Sequence, residues 1–451
     1  MLKFVLNKNK KEKAVLFCLI ILFFFLSLPQ NGANLAEQTS NALVEVNFSK
    51  ATPVNSMSGF LHSIGADKPA DKMISPLKPK QWRTGETNPA IYERLKKSGA
   101  RIQIVLSDFW GYPGLNTNRK WAYQTGREFE DFVRQTARAH NSKQIIWDVW
   151  NEPDDLRLPF WKGTFSQFCE TYLRAYRVLR EELGPDAVIG GPSFSRYNKS
   201  RIKEFLDFCA ANGCEVNFLS WHELDDRKIT GIADRLNEAR ALFIDNPAYK
   251  KLKIKEIQIN EIVGSPAQNK PGAILGYFYY LEKGRADGAS KACWENSGGD
   301  YNCYNNTLDG LLKAENLLPT ASWWIYKVYA DGVESRVESS TTNPHLVALG
   351  SAQSGSPHKA QVLIGYFRES SSQPIRANVS LKLINLNNLP FISNLKEVRI
   401  RIEKIPNIGE REIQNLEFLS EGNFPLRNNS VQIPIENVSV GEAYLVTVSE
   451  K

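Results

Sequence analysis

Gln144-Ile-Ile-Trp-Asp-Val-Trp-Asn-Glu-Pro153 is a short, nearly apolar run that stops on an amide, an acid and a proline. Continuous apolar character over so few residues belongs to strands buried on both faces. Pro153 has no N–H with which to extend a ladder. Lys255-Glu-Ile-Gln-Ile-Asn-Glu-Ile-Val263 has the same form, and its closing acid is Glu261. An ionised glutamate rarely ends a buried strand without a partner or a task.

Runs of the same kind lie on both sides of these two. Together they are Gly59–Ile64, Gln81–Thr84, Arg101–Ser107, Gln144–Asn151, Ala187–Gly191, Val216–Trp221, Glu256–Asn260 and Lys291–Trp294, eight in all. Helical patterns separate them. Phe165, Phe168, Tyr172, Tyr176, Leu179 and Leu183 recur at three- and four-residue steps, with Thr164 as a cap and Gly184-Pro185 as a stop. Arg127–His140 and Ser200–Asn212 behave likewise, the latter closing on Gly213. Alternating strands and helices over residues 50–332 predict an α/β fold, a (β/α)8 TIM barrel. The rival is an open doubly wound sheet, but no Gly-x-Gly-x-x-Gly turn follows an early strand.

Past residue 333 the pattern changes. Leu346–Leu349, Gln361–Phe367, Ala377–Ile384, Glu397–Ile402, Val431–Ile435 and Ala443–Val448 are short and β-rich, with turn-formers between them. They predict a C-terminal antiparallel β-sandwich over 333–451, to which the alternating Leu43–Phe48 in 41–49 adds a strand.

Lys3, Lys8, Lys10, Lys11 and Lys13 precede an apolar run from Ala14 to Leu28. Its length suits a signal-peptide core and falls short of the roughly 20 residues of a spanning helix. Residues 1–36 are thus expected to direct export, to a secreted, periplasmic or cell-surface location. Membrane contact is expected only if this segment stays uncleaved. The whole chain carries 56 basic and 49 acidic residues; the leader takes five lysines and Glu12, leaving 51 and 48, a balance of +3. That charge implies no nucleic-acid partner. Among the five remaining cysteines, Cys293 with Cys303 or Cys209 with Cys214 are the local pairs an oxidising compartment would allow, and neither spacing is that of a zinc site.

A barrel displays its chemistry where its strands end. Glu152 and Glu261, 109 residues apart, close the fourth and seventh runs. Paired carboxylates are what glycosidic cleavage needs: one protonates the leaving oxygen, and the other attacks the anomeric carbon or activates water. Here the chain resembles the retaining clan of barrel glycoside hydrolases. Trp150-Asn-Glu-Pro-Asp154, the distant Glu261 and the trailing β-rich segment are most similar to glycoside hydrolase family 39, which holds β-xylosidases, α-iduronidases and bacterial endoglycosidases.

The resemblance implies roles. Glu152 is the acid/base and Glu261 the nucleophile of a double displacement without metal or other cofactor. Asn151 bonds the sugar 2-hydroxyl. Arg83, in Gln81-Trp-Arg-Thr84, lies beside the nucleophile and is expected to keep it ionised; the alternative is an ion pair with Glu86 or Asp108. His222 matches a polar position on the sixth strand, and Trp294 the aromatic floor under the sugar. The sequence departs from the family after His222, where Glu223-Leu-Asp-Asp226 replaces the usual tyrosine. Trp110 and Tyr112, in Asp108-Phe-Trp-Gly-Tyr-Pro113, are expected on a rim loop that could stack on sugars, and the first run carries His62, a candidate sugar contact to which the resemblance assigns no role. A carbohydrate is the partner implied; oligomeric state is not legible. The expected activity is hydrolysis of an extracellular polysaccharide or oligosaccharide. The alternatives are an exo-acting β-xylosidase- or iduronidase-like enzyme and a sugar-binding barrel without activity.

Overall fold

A computed structural model describes residues 39–450, apart from 87, 141, 143, 156–159 and 354–358. The export segment expected at 1–36 lies outside the described residues. Among those described, no helix is long and apolar enough to cross a membrane.

β1 (Thr39–Thr52) precedes the barrel. Its strands are β2 (Gly59–Leu61), β3 (Gln81–Thr84), β4 (Arg101–Val105), β5 (Ile145–Asp148), β6 (Val188–Phe194), β7 (Phe218–Glu223), β8 (Glu256–Ile262) and β9 (Gly288–Lys291). All neighbours are parallel, and the barrel closes where Phe60 of β2 pairs with Lys291 of β9. Closure needs close backbones at that seam: a Cβ on Gly59 would stand 2.0 Å from the Ala289 carbonyl oxygen.

Most strand ends shift by a few residues from the expected bounds, and two of the shifts bear on the site. β9 is Gly-Ala-Ser-Lys, three residues ahead of the predicted Lys291–Trp294, and Trp294 lies beyond its end. Small residues are required there, since a Cβ on Gly288 would meet the Gln258 side chain at 2.3 Å, and small residues carry little apolar signal. β5 stops at Asp148, so Val149–Glu152 leave the ladder before the proline.

The helices follow their caps. Phe165–Leu183 opens on a reciprocal capping box, with Thr164 Oγ1 accepting the Gln167 N–H at 3.2 Å and Gln167 Oε1 accepting the Thr164 N–H at 2.7 Å. It ends at Gly184. Lys199–Asn212 ends on Gly213 at φ +70°, where a left-handed residue is needed.

The remaining strands are β10 (Arg336–Thr341), β11 (Leu346–Ser351), β12 (Ala360–Tyr366), β13 (Arg376–Ile384), β14 (Glu397–Ile405), β15 (Glu417–Pro425), β16 (Val431–Ser439) and β17 (Ala443–Ser449). With β1 they form one sheet in the order β15-β14-β17-β12-β11-β10-β1-β13-β16, antiparallel except for the parallel pair β1–β13. The sandwich is this one sheet folded over itself: Val398 and Ile400 near one end share a core with Ile433 and Ile435 near the other, and with Val44, Val46 and Phe48 of β1. β11, β12 and β17 are buried on both faces because their second face joins the barrel's core. Helix Pro271–Lys283 lies along that face, with the Gly272 N–H donating to the Gly441 carbonyl at 2.8 Å. Arg336 and Glu282 form a two-point ion pair nearby.

Candidate active site

Beyond β5 the chain turns sharply. Glu152 takes a left-handed conformation, φ +46°, and its N–H donates to the Ser193 carbonyl at 2.9 Å. A non-glycine residue held there is strained and needs support from its surroundings. The turn points both Asn151 and Glu152 inward. The Asn151 N–H donates to Ser107 Oγ at 3.0 Å, and its Oδ1 accepts from Arg83 Nη2 at 2.8 Å. Across the mouth a bulge between Trp221 and His222 shifts the β7–β8 register, so His222 pairs with Glu261.

Three sequence-predicted groups converge. His222 Nδ1 lies 2.8 Å from Glu152 Oε1 and 3.8 Å from Glu261 Oε2. One oxygen of each carboxylate and a His222 ring nitrogen all lie within 4.8 Å of one another. Such a trio could hold a cation in principle, but the Arg83 guanidinium, 3.0 Å from Glu261 Oε1, already supplies positive charge there. His222 is fully buried, which pushes its pKa down; Glu261 pulls it up and Arg83 reinforces the lowering. The neutral ring then donates from Nδ1 to Glu152, while Nε2 has no partner among the described residues.

Arg83 is buried and meets neither Glu86 nor Asp108 as its ion pair. Its Nε and Nη2 donate to Asp148 Oδ2 at 3.2 and 3.1 Å, and Nη1 donates to Glu261. Burial alone would favour loss of its proton, but Asp148 and Glu261 outweigh burial and keep it charged. Arg83 lowers the Glu261 pKa as expected, but it does not set the net direction. Burial is the larger influence and holds its carboxyl above the usual range, even though His222 and Arg83 pull it down; Glu152 and Asp108 add to the rise.

Asp148 was not singled out in the sequence, yet it organises the floor. Its Oδ2 also accepts from Ser193 Oγ at 2.6 Å, Asn260 Nδ2 at 3.0 Å and Gln103 Nε2 at 3.2 Å. The signal was present: an acid inside an apolar strand needs partners.

The remaining predicted residues divide. His62, at φ +38°, contacts Asp108 Oδ2 through Nε2 at 3.1 Å at the mouth. Burial pushes Asp108 up, but the hydrogen bond and charge of His62, with Arg83 and Tyr112, hold it below the usual carboxylate range. Trp294 is half-buried past β9, and its Nε1 donates to the Val263 carbonyl at 2.8 Å, two residues from Glu261. Trp110 and Tyr112 are corrected: neither offers a face to solvent. Trp110 is 2% exposed, with Arg119 over its ring and Phe129 and Phe132 at its edges. Tyr112 is buried against Phe160, and its hydroxyl bonds Asp108 and Ser107. Cys293 and Cys303 are disulfide-bonded; Cys209 and Cys214 are buried and free.

The closed parallel barrel presents one acid after its fourth strand and another on its seventh. Over residues 116–262 the chain matches the family model of glycosyl hydrolases family 39. A β-xylosidase of Caldicellulosiruptor saccharolyticus is 26% identical over 133 residues, which is 29% of this chain and 26% of that protein. A second, from Geobacillus stearothermophilus, is 26% identical over 144 residues, 31% of this chain and 22% of that protein. The matched stretch thus spans about a quarter of the curated relatives' length. Among solved structures, N2152 of Neocallimastix frontalis superposes with a TM-score of 0.71 at 22% identity, over 91% of this chain and 100% of that one. The GH39 enzyme of Xanthomonas axonopodis pv. citri gives 0.64 at 14%, over 94% and 100%. At these identities the structural likeness speaks for the fold.

Proposed function

We propose that this chain is a retaining glycoside hydrolase, β-xylosidase-like, acting on an extracellular oligosaccharide or polysaccharide after export. The observation that carries the reading is the closeness of Glu152 and Glu261, whose nearest oxygens lie within 4.8 Å. Carboxyls about 5–5.5 Å apart suit a double displacement; about 6.5–9.5 Å leaves room for the water of an inverting reaction. Glu261 attacks the anomeric carbon while Glu152 gives its proton to the departing oxygen. A water, deprotonated by Glu152, then breaks the glycosyl ester and frees Glu261. His222, bonded to Glu152 and within reach of Glu261, keeps the two side chains aligned. Arg83 fixes the plane of the Glu261 carboxylate. The xylosidase names of the relatives support a pentoside as the first substrate to try.

The test uses activated aryl β-glycosides, xyloside first, and a 2-deoxy-2-fluoro analogue. Turnover with retained configuration in the first-formed product, and a covalent adduct on the peptide containing Glu261, are expected. An inverted product, or label on another residue, would refute the assignment.

A further inference from the structure

Tyr304 is 79% exposed, the most open large hydrophobic side chain among those described, yet it stands at the catalytic mouth. A lone exposed aromatic is ordinary on a protein surface. Three features make this one different. The first is its anchorage. It directly follows Cys303, which is bonded to Cys293 just beyond β9. The Cys303 carbonyl accepts the Ser63 N–H at 2.8 Å, and buried Asn302 is tied to the Trp294 carbonyl at 2.8 Å. Further along the same loop, Asp309 Oδ2 accepts the Leu61 N–H at 2.7 Å, and its carbonyl takes Lys291 Nζ at 2.5 Å. An exposed ring on a loop pinned at both ends loses little freedom when a ligand covers it.

The second feature is its neighbour. The Tyr304 ring stacks on His62, 6.0 Å between centroids at 26°, and His62 bonds Asp108 at the rim. The third is its position around the barrel. Glu152 follows the fourth strand, whereas His62 and the disulfide loop follow the first and the eighth. The leaving group must sit beside its proton donor, so the opposite rim faces the part of the glycan that stays on the enzyme.

Resting on the proposed hydrolase reading, we infer that Tyr304 is a stacking platform for the sugar ring on the non-reducing side of the one being cleaved. Trp294 lies inside the segment that the disulfide closes and Tyr304 directly after it, so one bridge steadies both aromatic residues. The ligand class is a β-linked neutral oligosaccharide of at least two units on that side, its apolar pyranose face laid on the ring.

The experiment measures binding, so that it stands apart from turnover. Glu261→Gln protein, which cannot form the glycosyl ester, is titrated by calorimetry with xylose, xylotriose, cellotriose and mannotriose, with and without Tyr304→Ala. At least one trisaccharide should bind, and Tyr304→Ala should weaken it about tenfold while leaving the monosaccharide unchanged. Tyr304→Trp and Tyr304→Phe should retain the affinity. The melting temperature of Tyr304→Ala should match its parent, since the ring is exposed. Equal trisaccharide affinities with and without the ring, or no trisaccharide bound, would overturn the inference. Failure of the hydrolase reading would appear separately, as absent turnover and absent trapping in the wild type.

Discussion

Arg83 Nη1 donates to Glu261 Oε1 at 3.0 Å across the barrel mouth, from the second strand to the seventh. The same guanidinium is gripped from below by Asp148 at 3.1 and 3.2 Å, so its direction is set before substrate arrives. A planar fork can satisfy Asp148, Asn151 and Glu261 together, and a lysine cannot. Arg83→Lys should therefore fold but lose about a hundredfold in kcat/KM, the usual result of misplacing a reacting group by an ångström. Arg83→Met leaves Asp148 buried beside an uncharged side chain. It should cost about 3–5 kcal/mol of unfolding free energy, read by denaturant titration. Wild-type turnover in the lysine variant would show that the fork is dispensable.

Glu261 supplies a pH dependence with a definite sign. Burial holds its carboxyl above the ordinary value of 4.5, and the proposed nucleophile must be ionised. The acid limb of kcat/KM should accordingly lie above that value, with activity rising as pH rises through it. Stability runs the other way. A carboxyl whose folded pKa is raised binds its proton more tightly folded than unfolded. Its favourable contribution is complete below the unfolded value and is lost as pH climbs through the folded one. Glu261→Gln mimics the protonated form, so it should abolish turnover yet melt at or above the wild-type temperature at neutral pH. The gap should close near about pH 4. A glutamine variant that melts lower at neutral pH would mean that Arg83 and His222 outweigh burial.

Legibility in the sequence followed burial. β3 could be bounded to the residue because buried strands are apolar throughout, while β9 was displaced because its residues are small. β15 went unseen for a different reason. It is an edge strand whose residues are mostly exposed, so no apolar face marks its period. Glu152, Glu261 and Asn151 were legible because polar groups at the ends of apolar strands stand out, whereas Arg83 and His222 were legible only through the family resemblance. Asp148, in the middle of the run Gln144–Asn151, and Asn260, next to Glu261, were read as strand rather than site. The rim was least legible. Trp110 and Tyr112 sit where sugar-stacking aromatics would sit, and only the positions of Arg119, Phe132 and Phe160 decide that they pack inward.

The correction for Trp110 has its own consequence. An indole packed between Phe129, Phe132 and Arg119 is core, and truncating it opens a large cavity. Trp110→Ala should cost about 3–5 kcal/mol of stability. At a temperature where the variant stays folded, KM for an aryl glycoside should be within about twofold of wild type, because core residues act on folding rather than on ligand. A rise in KM without loss of stability would return Trp110 to the sugar-binding rim.

The Cys293–Cys303 bridge predicts a local rather than a catalytic phenotype. It closes a segment with a sequence separation of 10, and chain-entropy arguments give a loop of that size about 3 kcal/mol. Only part of this should appear in global unfolding, since hydrogen bonds from Asn302 to Trp294, Asn296 to Asp300 and Ser63 to Cys303 hold the same segment. Protection of the exposed stretch around Gly298–Asp300 should respond more. Replacing both cysteines by serine should speed proteolytic nicking there by at least about tenfold, in proportion to the opened population. Trp294 remains tied to Val263 through its indole N–H in that variant, so turnover of a short aryl glycoside should change little. Nicking at the wild-type rate would mean that the hydrogen bonds alone hold the loop closed. A collapse of turnover on the short substrate would mean that Trp294 depends on the bridge rather than on Val263.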